Sequence, residues 1–335
     1  MNVLDVRCIH DPGCHCAFTD ILSWNGRIYV VFREAVNHGV HFSGQIVVLG
    51  SADYGASFQV HARLAHRGYD LRDPHLFIVQ DRLCLAIPSW VVPEPDRGIP
   101  ERIRCTHIAQ SEDGIDWDLQ LVLDPLQGRT LWRPRRGPDG RWYAASYAPA
   151  RGNDDYRVAL YRSKDGWSWK HVSLIHGKDK ANETELCFLP DGELLALVRR
   201  EAGPCRPLLA ASRPPYHTWT KLECSRFLQG PLLERLPDGS LLVVGRSREP
   251  LEPEEPGGQC RTRGFRLDRE TGKLEDLFTL PSGGDTSYAG LQELQDGTFL
   301  LSYYSGHEHE DGSYRDGESP QRCGIYLARL ESAAT

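Results

Sequence analysis

Six short polar turns, spaced almost evenly along the chain, constrain its fold more than any other feature. They are Asn25-Gly26, Asp81-Arg82, Asp139-Gly140, Asp191-Gly192, Asp238-Gly239 and Asp296-Gly297, separated by 56, 58, 52, 47 and 58 residues. Each sits between two apolar, strand-like runs. Asn-Gly and Asp-Gly in that setting signal hairpins, because both residues tolerate the positive φ of a tight turn. A unit of about fifty residues with several short strands cannot bury both its faces alone, so such units stack. Helical periodicity is hard to find, and 32 Gly with 22 Pro punctuate the chain throughout. The spacing predicts an all-β, six-bladed β-propeller with four antiparallel strands per blade. A single domain over residues 1–335 is expected, with no linker.

A second signature is interleaved with the first. Ser51, Asp53, Gly55, Ser57 and Phe58 follow the pattern S-x-D-x-G-x-[ST]-[FW]. Residues 111–117 and 163–169 are versions shorter by one residue, and Ser212 to Trp219 is a degenerate fourth. Each falls where the third strand of a unit turns into the fourth. There the short Ser and Asp side chains accept hydrogen bonds from turn N–H groups while the aromatic packs beneath. These turns are expected to hold blades together and not to do chemistry. Inner strands are expected near residues 15–24, 72–79, 131–137, 182–189, 229–236 and 287–294. The last unit runs out of chain after its third strand, Ile325 to Leu330. The N-terminal run Val3 to Ile9 is therefore expected to supply the fourth strand and close the ring.

Inner strands begin, and second strands end, at the same mouth of a propeller channel. The strand starts contribute His15, Arg72 with Asp73, Trp132 with Arg133, Glu183 with Glu185, and Tyr288. The second-strand ends contribute Arg33 with Glu34, Trp90, Tyr147, Arg199 with Arg200, Arg246, and Tyr303 with Tyr304. So many charges around one opening are costly to desolvate without a purpose. Some are expected to pair between blades. The rest suit a small anionic or heavily hydroxylated ligand, with Arg for bidentate carboxylate contact and Trp or Tyr for stacking. A net charge of −7 without a basic block argues against nucleic acid or an anionic membrane surface as partner. The first residues show neither a basic nor an apolar leader segment, so a cytoplasmic location with reduced thiols is the expectation. The Pro-rich stretch Val91 to Pro100 and the acidic stretch Glu249 to Gly258 are expected to rise over the mouth.

At this point the chain resembles the sialidase superfamily. The segment from Asn182 and Glu183 through Arg199 is similar to the one that carries the family's Glu and an Arg of its carboxylate clamp. The segment from Asp285 through Tyr288 to Tyr303 resembles the one that carries its Tyr nucleophile, and the Ser-x-Asp turns look like its Asp boxes. The resemblance implies a retaining, exo-acting glycoside hydrolase on a carbohydrate, with Tyr288 as nucleophile, Glu183 as its base and no cofactor. It further implies Arg199 on the substrate carboxylate, with Arg246, Arg261 or Arg263 as a second clamp residue. The first blade departs from the pattern: His15 to Asp20 holds no Arg-Ile-Pro motif. Arg33 and Arg72 are candidates for the missing arginine, and Arg133, Trp90, Tyr147 and Tyr303 for further substrate contacts. Glu34, His38 and Asp73 are the candidate general acids.

Read from the residues alone, a lyase or carboxylate-pair hydrolase, with His38 or Tyr147 as base, is the alternative enzyme. A non-catalytic carbohydrate-binding propeller is the other alternative. Cys8, His10, Cys14, His15 and Cys16 form a dense thiol–imidazole cluster. Its spacing matches no standard metal motif and part of it belongs to an edge strand, so thiols without a metal are expected there.

Overall fold

The computed structural model describes residues 1–94, 102–149, 155–248, 260–309 and 321–332. Of the two connections expected over the mouth, the Pro-rich one lies outside the described residues from 95 onward and the acidic one lies wholly outside. Six antiparallel sheets form the six blades of a propeller. Blade 1 is β2 (His15–Trp24), β3 (Arg27–Ala35), β4 (Gln45–Ser51) and β5 (Gln59–Leu64). Blade 2 has a two-part inner strand, β6 (Tyr69–Leu71) and β7 (His75–Val79), then β8 (Arg82–Val91), β9 (Ile103–Ser111) and β10 (Asp118–Val122). Blade 3 repeats that plan with β11 (Thr130–Leu131), β12 (Arg135–Arg136), β13 (Trp142–Pro149), β14 (Tyr156–Ser163) and β15 (Trp169–His176). Blade 4 comprises β16 (Thr184–Phe188), β17 (Leu194–Val198), β18 (Leu208–Ser212) and β19 (Thr220–Glu223). Blade 5 comprises β20 (Gln229–Arg235), β21 (Leu241–Ser247), β22 (Arg261–Leu267) and β23 (Leu274–Thr279). Blade 6 joins β24 (Thr286–Glu293), β25 (Phe299–Ser305) and β26 (Gly324–Glu331) to β1 (Asn2–His10). Asn2 lies opposite Glu331 and Val3 opposite Leu330, so the N-terminal strand closes the ring as expected.

The core lies between blades. Val31, Ile46 and Val48 of blade 1 pack on Leu71, Leu83 and Ile87 of blade 2, and Phe77 with Ile108 of blade 2 packs on Trp142 and Trp169 of blade 3. Each sheet is thus apolar on both faces, which explains strand runs more continuous than alternating. The Ser-x-Asp turns lie at the outer end of these contacts. Ser111 Oγ accepts from Gly114 N at 2.8 Å, and Asp113 Oδ1 accepts from Ile115 N and Asp116 N at 2.8 and 2.9 Å. Gly114 has φ +76°, and a Cβ there would lie 2.4 Å from the Tyr29 hydroxyl of blade 1. The turn closes its own hairpin and also seats it on the preceding blade.

Inner strands depart from regularity at the channel mouth. The runs expected to be continuous over 72–79 and 131–137 are broken at Arg72-Asp73-Pro74 and Trp132-Arg133-Pro134. Proline supplies no N–H to the ladder, so the strand is interrupted there. Register slips in β2 between Ala17 and Asp20 and in β24 between Ser287 and Gly290 do the same work without proline. Phe18, Asp73, Ser287 and Tyr288 all take positive φ, at 62°, 41°, 100° and 50°. Such bulges re-aim a side chain that a flat strand would leave facing a neighbouring blade. Phe18, Asp73 and Tyr288 turn into the channel.

Candidate active site in the channel mouth

A cavity of about 530 Å³ opens at this end of the channel, and Phe18, Asp73, Glu183, Arg199 and Tyr288 form its inner wall. Glu183 owes its position to its neighbours. Its N–H donates to the Asn182 side chain at 2.8 Å, and its carbonyl accepts from Arg199 N at 3.1 Å, just beyond the β16–β17 ladder. That pairing sets Glu183 and Arg199 side by side although 16 positions separate them. Tyr288 reaches the same point from blade 6. Its hydroxyl lies 2.9 and 3.0 Å from the two Glu183 oxygens, and Arg199 Nη1 donates to it at 3.1 Å. Arg199 also pairs directly with Glu183, and its Nη2 donates to Glu201 at 2.6 Å. Gly230 makes room for the Tyr288 ring: it sits at φ +53°, and a Cβ would come within 2.9 Å of the ring. Burial holds the Tyr288 phenol well above its ordinary range, against the lowering pull of Arg199.

Asp73 faces this pair across the cavity. Burial raises its carboxyl to about 7, with Glu183 adding to the rise and Arg72 opposing it. Arg72 Nε lies 3.8 Å from Asp73, its guanidinium covers the Phe18 ring at 4.9 Å, and its Nη1 donates to the His38 carbonyl at 2.9 Å. Arg246 enters from blade 5, with its guanidinium 5.8 Å from the Tyr288 ring centre. Its Nη1 donates to Asp285 Oδ1 at 3.2 Å and its Nη2 to Gln229 at 3.3 Å. Asp285 is fully buried and also takes Tyr304 at 2.7 Å, His15 at 2.9 Å and His38 at 2.5 Å. Burial alone would raise its pKa, but the two histidine contacts hold it well below the carboxylate range. Burial also pushes His15 down to about 4 and lowers His38, against the raising pull of Asp285 on both.

The outer wall is built differently. Arg104 lies over Trp90 at 4.1 Å, Tyr147 at 4.9 Å and Tyr156 at 5.0 Å. This wall therefore presents a cation held against aromatic rings, with Trp90 and Tyr147 themselves lining the cavity. With Arg102 and Arg248, six arginines among the described residues line the cavity, beside the carboxylates Asp73, Glu183 and Glu201. The excess positive charge suits an anionic ligand.

Six expected site residues are not at the cavity. Arg33 is fully buried and spent: Nε and Nη2 donate to Asp70 at 2.8 and 3.0 Å, and Nη1 donates to the Asn37 carbonyl at 2.7 Å. Glu34, the next residue on the strand, faces the other way onto His10, Gln45 and Arg63 and is no acid for the channel. Arg133 lies below the floor, 3.4 Å from Asp20 and 3.2 Å from Glu185. Arg261 donates to the Ser282 carbonyl, Arg263 pairs with Asp276 at 2.9 Å, and Tyr303 donates to the Pro281 carbonyl at 2.8 Å. Each of these side chains is held by a partner from another strand, loop or blade, which the local sequence does not reveal. Phe18, Gln229, Arg102, Arg104, Arg248 and Glu201 line the cavity without having been singled out in the sequence.

No family model and no curated protein matches the chain by sequence. Solved structures do match by shape. A protein of unknown function from Dyadobacter fermentans superposes with a TM-score of 0.77 at 19% identity, over 98% of this chain and 99% of that one. The NanB sialidase of Streptococcus pneumoniae gives 0.67 at 12% identity, over 97% of this chain and 70% of the sialidase. The Trypanosoma rangeli sialidase, in complex with the inhibitor DANA, gives 0.67 at 12% identity, over 94% of this chain and 55% of that one. The chain has the sialidase propeller fold. At these identities the likeness is one of fold, and function rests on the site itself.

Proposed function

We propose that this chain is a retaining, exo-acting glycoside hydrolase for an acidic sugar whose carboxylate lies beside the anomeric carbon. The observation that carries this reading is the Tyr288 hydroxyl within hydrogen-bond reach of both Glu183 oxygens. A buried phenol at neutral pH is a poor nucleophile and needs a base in contact with it, which Glu183 supplies. In the first step Tyr288 Oη attacks the anomeric carbon while Glu183 takes its proton. The bond to the leaving oxygen breaks as Asp73 protonates that oxygen. In the second step ionised Asp73 takes a proton from water, which attacks the anomeric carbon and releases Tyr288, re-protonated from Glu183. Arg199 and Arg246 hold the substrate carboxylate, with Arg72 on the opposite side in place of a first-blade arginine. A neutral phenol nucleophile avoids the repulsion that a carboxylate would feel from an anionic substrate. Two of the neighbouring structures being sialidases supports the same class of substrate.

Tyr288→Phe keeps the ring packing and removes the nucleophilic oxygen. Turnover of an acidic glycoside is expected to fall by orders of magnitude with the unfolding temperature preserved, and NMR of the wild-type reaction to give first a product of retained anomeric configuration. Unchanged turnover in Tyr288→Phe, or an inverted first product, rejects the mechanism.

One contact favours a second reading. His38 lines the cavity and is oriented by Asp285, as a base for proton abstraction would be. A lyase acting through His38 leaves an unsaturated sugar that absorbs in the near ultraviolet, so product absorbance separates the two.

A further inference from the structure

The ring closure brings together a cluster of side chains that the cavity chemistry leaves unused. His10 ends β1, Cys16 lies on β2 and Glu34 on β3, and one ligand atom from each lies within 4.8 Å of the others. Cys14, half-buried in the link between β1 and β2, lies two residues before Cys16. Glu34 is oriented for a ligand. Its Oε1 is held by Gln45 at 3.0 Å and by Arg63, which leaves Oε2 turned toward His10 Nε2 at 3.3 Å. Outer partners that fix one carboxylate oxygen and aim the other are a regular feature of metal sites.

We propose that His10, Cys14, Cys16 and Glu34 form a closed structural zinc site that pins the ring-closing strand to blade 1. One imidazole nitrogen, two sulfurs and one carboxylate oxygen are the donor types zinc takes in four-coordinate sites. Three of the four ligands are already grouped, and the proposal assigns the fourth position to Cys14 in the adjoining link. The charges also balance: two thiolates and one carboxylate offset Zn²⁺ together with the Arg63 guanidinium. Balance matters here because Cys16 is fully buried and the His10 and Glu34 side chains are only 15% and 12% exposed. Without an ion, two adjacent thiols gain little from each other, since a thiol is a weak donor and a weak acceptor. The second ligand-like cluster, His15, His38 and Asp285, lacks this balance because Arg246 and Tyr304 already bind Asp285.

The site is independent of the proposed hydrolase activity, and its test does not use that activity. Protein purified under reducing conditions is expected to contain one zinc per chain by elemental mass spectrometry. After metal removal, Co²⁺ is expected to bind with the thiolate charge-transfer band and visible bands of a tetrahedral sulfur-ligated ion. Cys14→Ser/Cys16→Ser is expected to lose both, Glu34→Gln to weaken Co²⁺ binding, and the exposed Cys8→Ser to keep wild-type metal content. Chelation is expected to lower the unfolding temperature of wild type and Cys8→Ser. Wild-type protein without stoichiometric zinc and without the cobalt–thiolate band overturns the proposal. So does a Cys14–Cys16 disulfide found by mass spectrometry in place of the metal, or zinc retained by the double serine variant.

Discussion

Asp73 is the residue whose surroundings bear most directly on rate. Burial raises its carboxyl to about 7, with the charge of Glu183 adding to the rise. A general acid must carry its proton, so kcat/KM is expected to fall as pH rises through about 7. Asp73→Asn is expected to cost about 10²–10⁴-fold on substrates with poor leaving groups. The loss is expected to be far smaller on activated aryl glycosides, and the alkaline limb to disappear; rates at several pH values check this. Stability moves the same way. The folded state binds this proton more tightly than the unfolded chain, so raising pH from the ordinary carboxylate range to about 7 withdraws stability. The asparagine variant is therefore expected to unfold at a higher temperature than wild type above pH 7, and to lose that advantage in acid. At this scale the sequence was legible where a residue opens a strand or follows a hairpin in phase, as Glu183, Arg199, Arg246 and Tyr288 do. It was not legible for Arg33, Glu34 and Arg133, because their partners Asp70, Arg63 and Glu185 come from other strands or blades. Arg104 escaped notice for a related reason: its function in the wall depends on three aromatic rings brought together only by folding.

Among the elements, the hairpin turns and the Ser-x-Asp turns were readable because each is a local solution to a local problem. The inner strands were readable only as far as their irregularities. Pro74 and Pro134 mark two of the breaks openly, whereas the bulges at Phe18 and Tyr288 carry no such punctuation and follow from packing around the channel. That these turns hold blades together was expected, but the residue each one meets on the blade before it was not legible in the sequence. The contact has a measurable consequence at Gly114, where φ is +76° and the Tyr29 ring fills the space of a Cβ. Gly114→Ala is expected to destabilise the fold by about 1–3 kcal/mol through overpacking and backbone strain together. Denaturant unfolding measures this, and pairing the change with Tyr29→Phe or Tyr29→Ala separates the contact from the strain.

At the scale of the whole molecule, inner strands touch between blades, β24 to β2, β2 to β7, β12 to β16, β16 to β20 and β20 to β24, and β11 meets β8. The ring closes in blade 6, where β1 covers β26 through seven residue pairs. Deleting residues 2–10 leaves β26 as an exposed edge and is expected to lower the unfolding temperature and promote self-association, as size-exclusion chromatography reports. The same closure bears on how the chain is made. Asn2 is made more than 300 residues before its partner Glu331. The strand β1 therefore precedes its partner β26 by the length of all the other strands. Contacts so distant in sequence are slow to form, and until they form a nascent chain has no complete ring. A chain that stops before β26 leaves β1 without its partner strand and the ring unclosed.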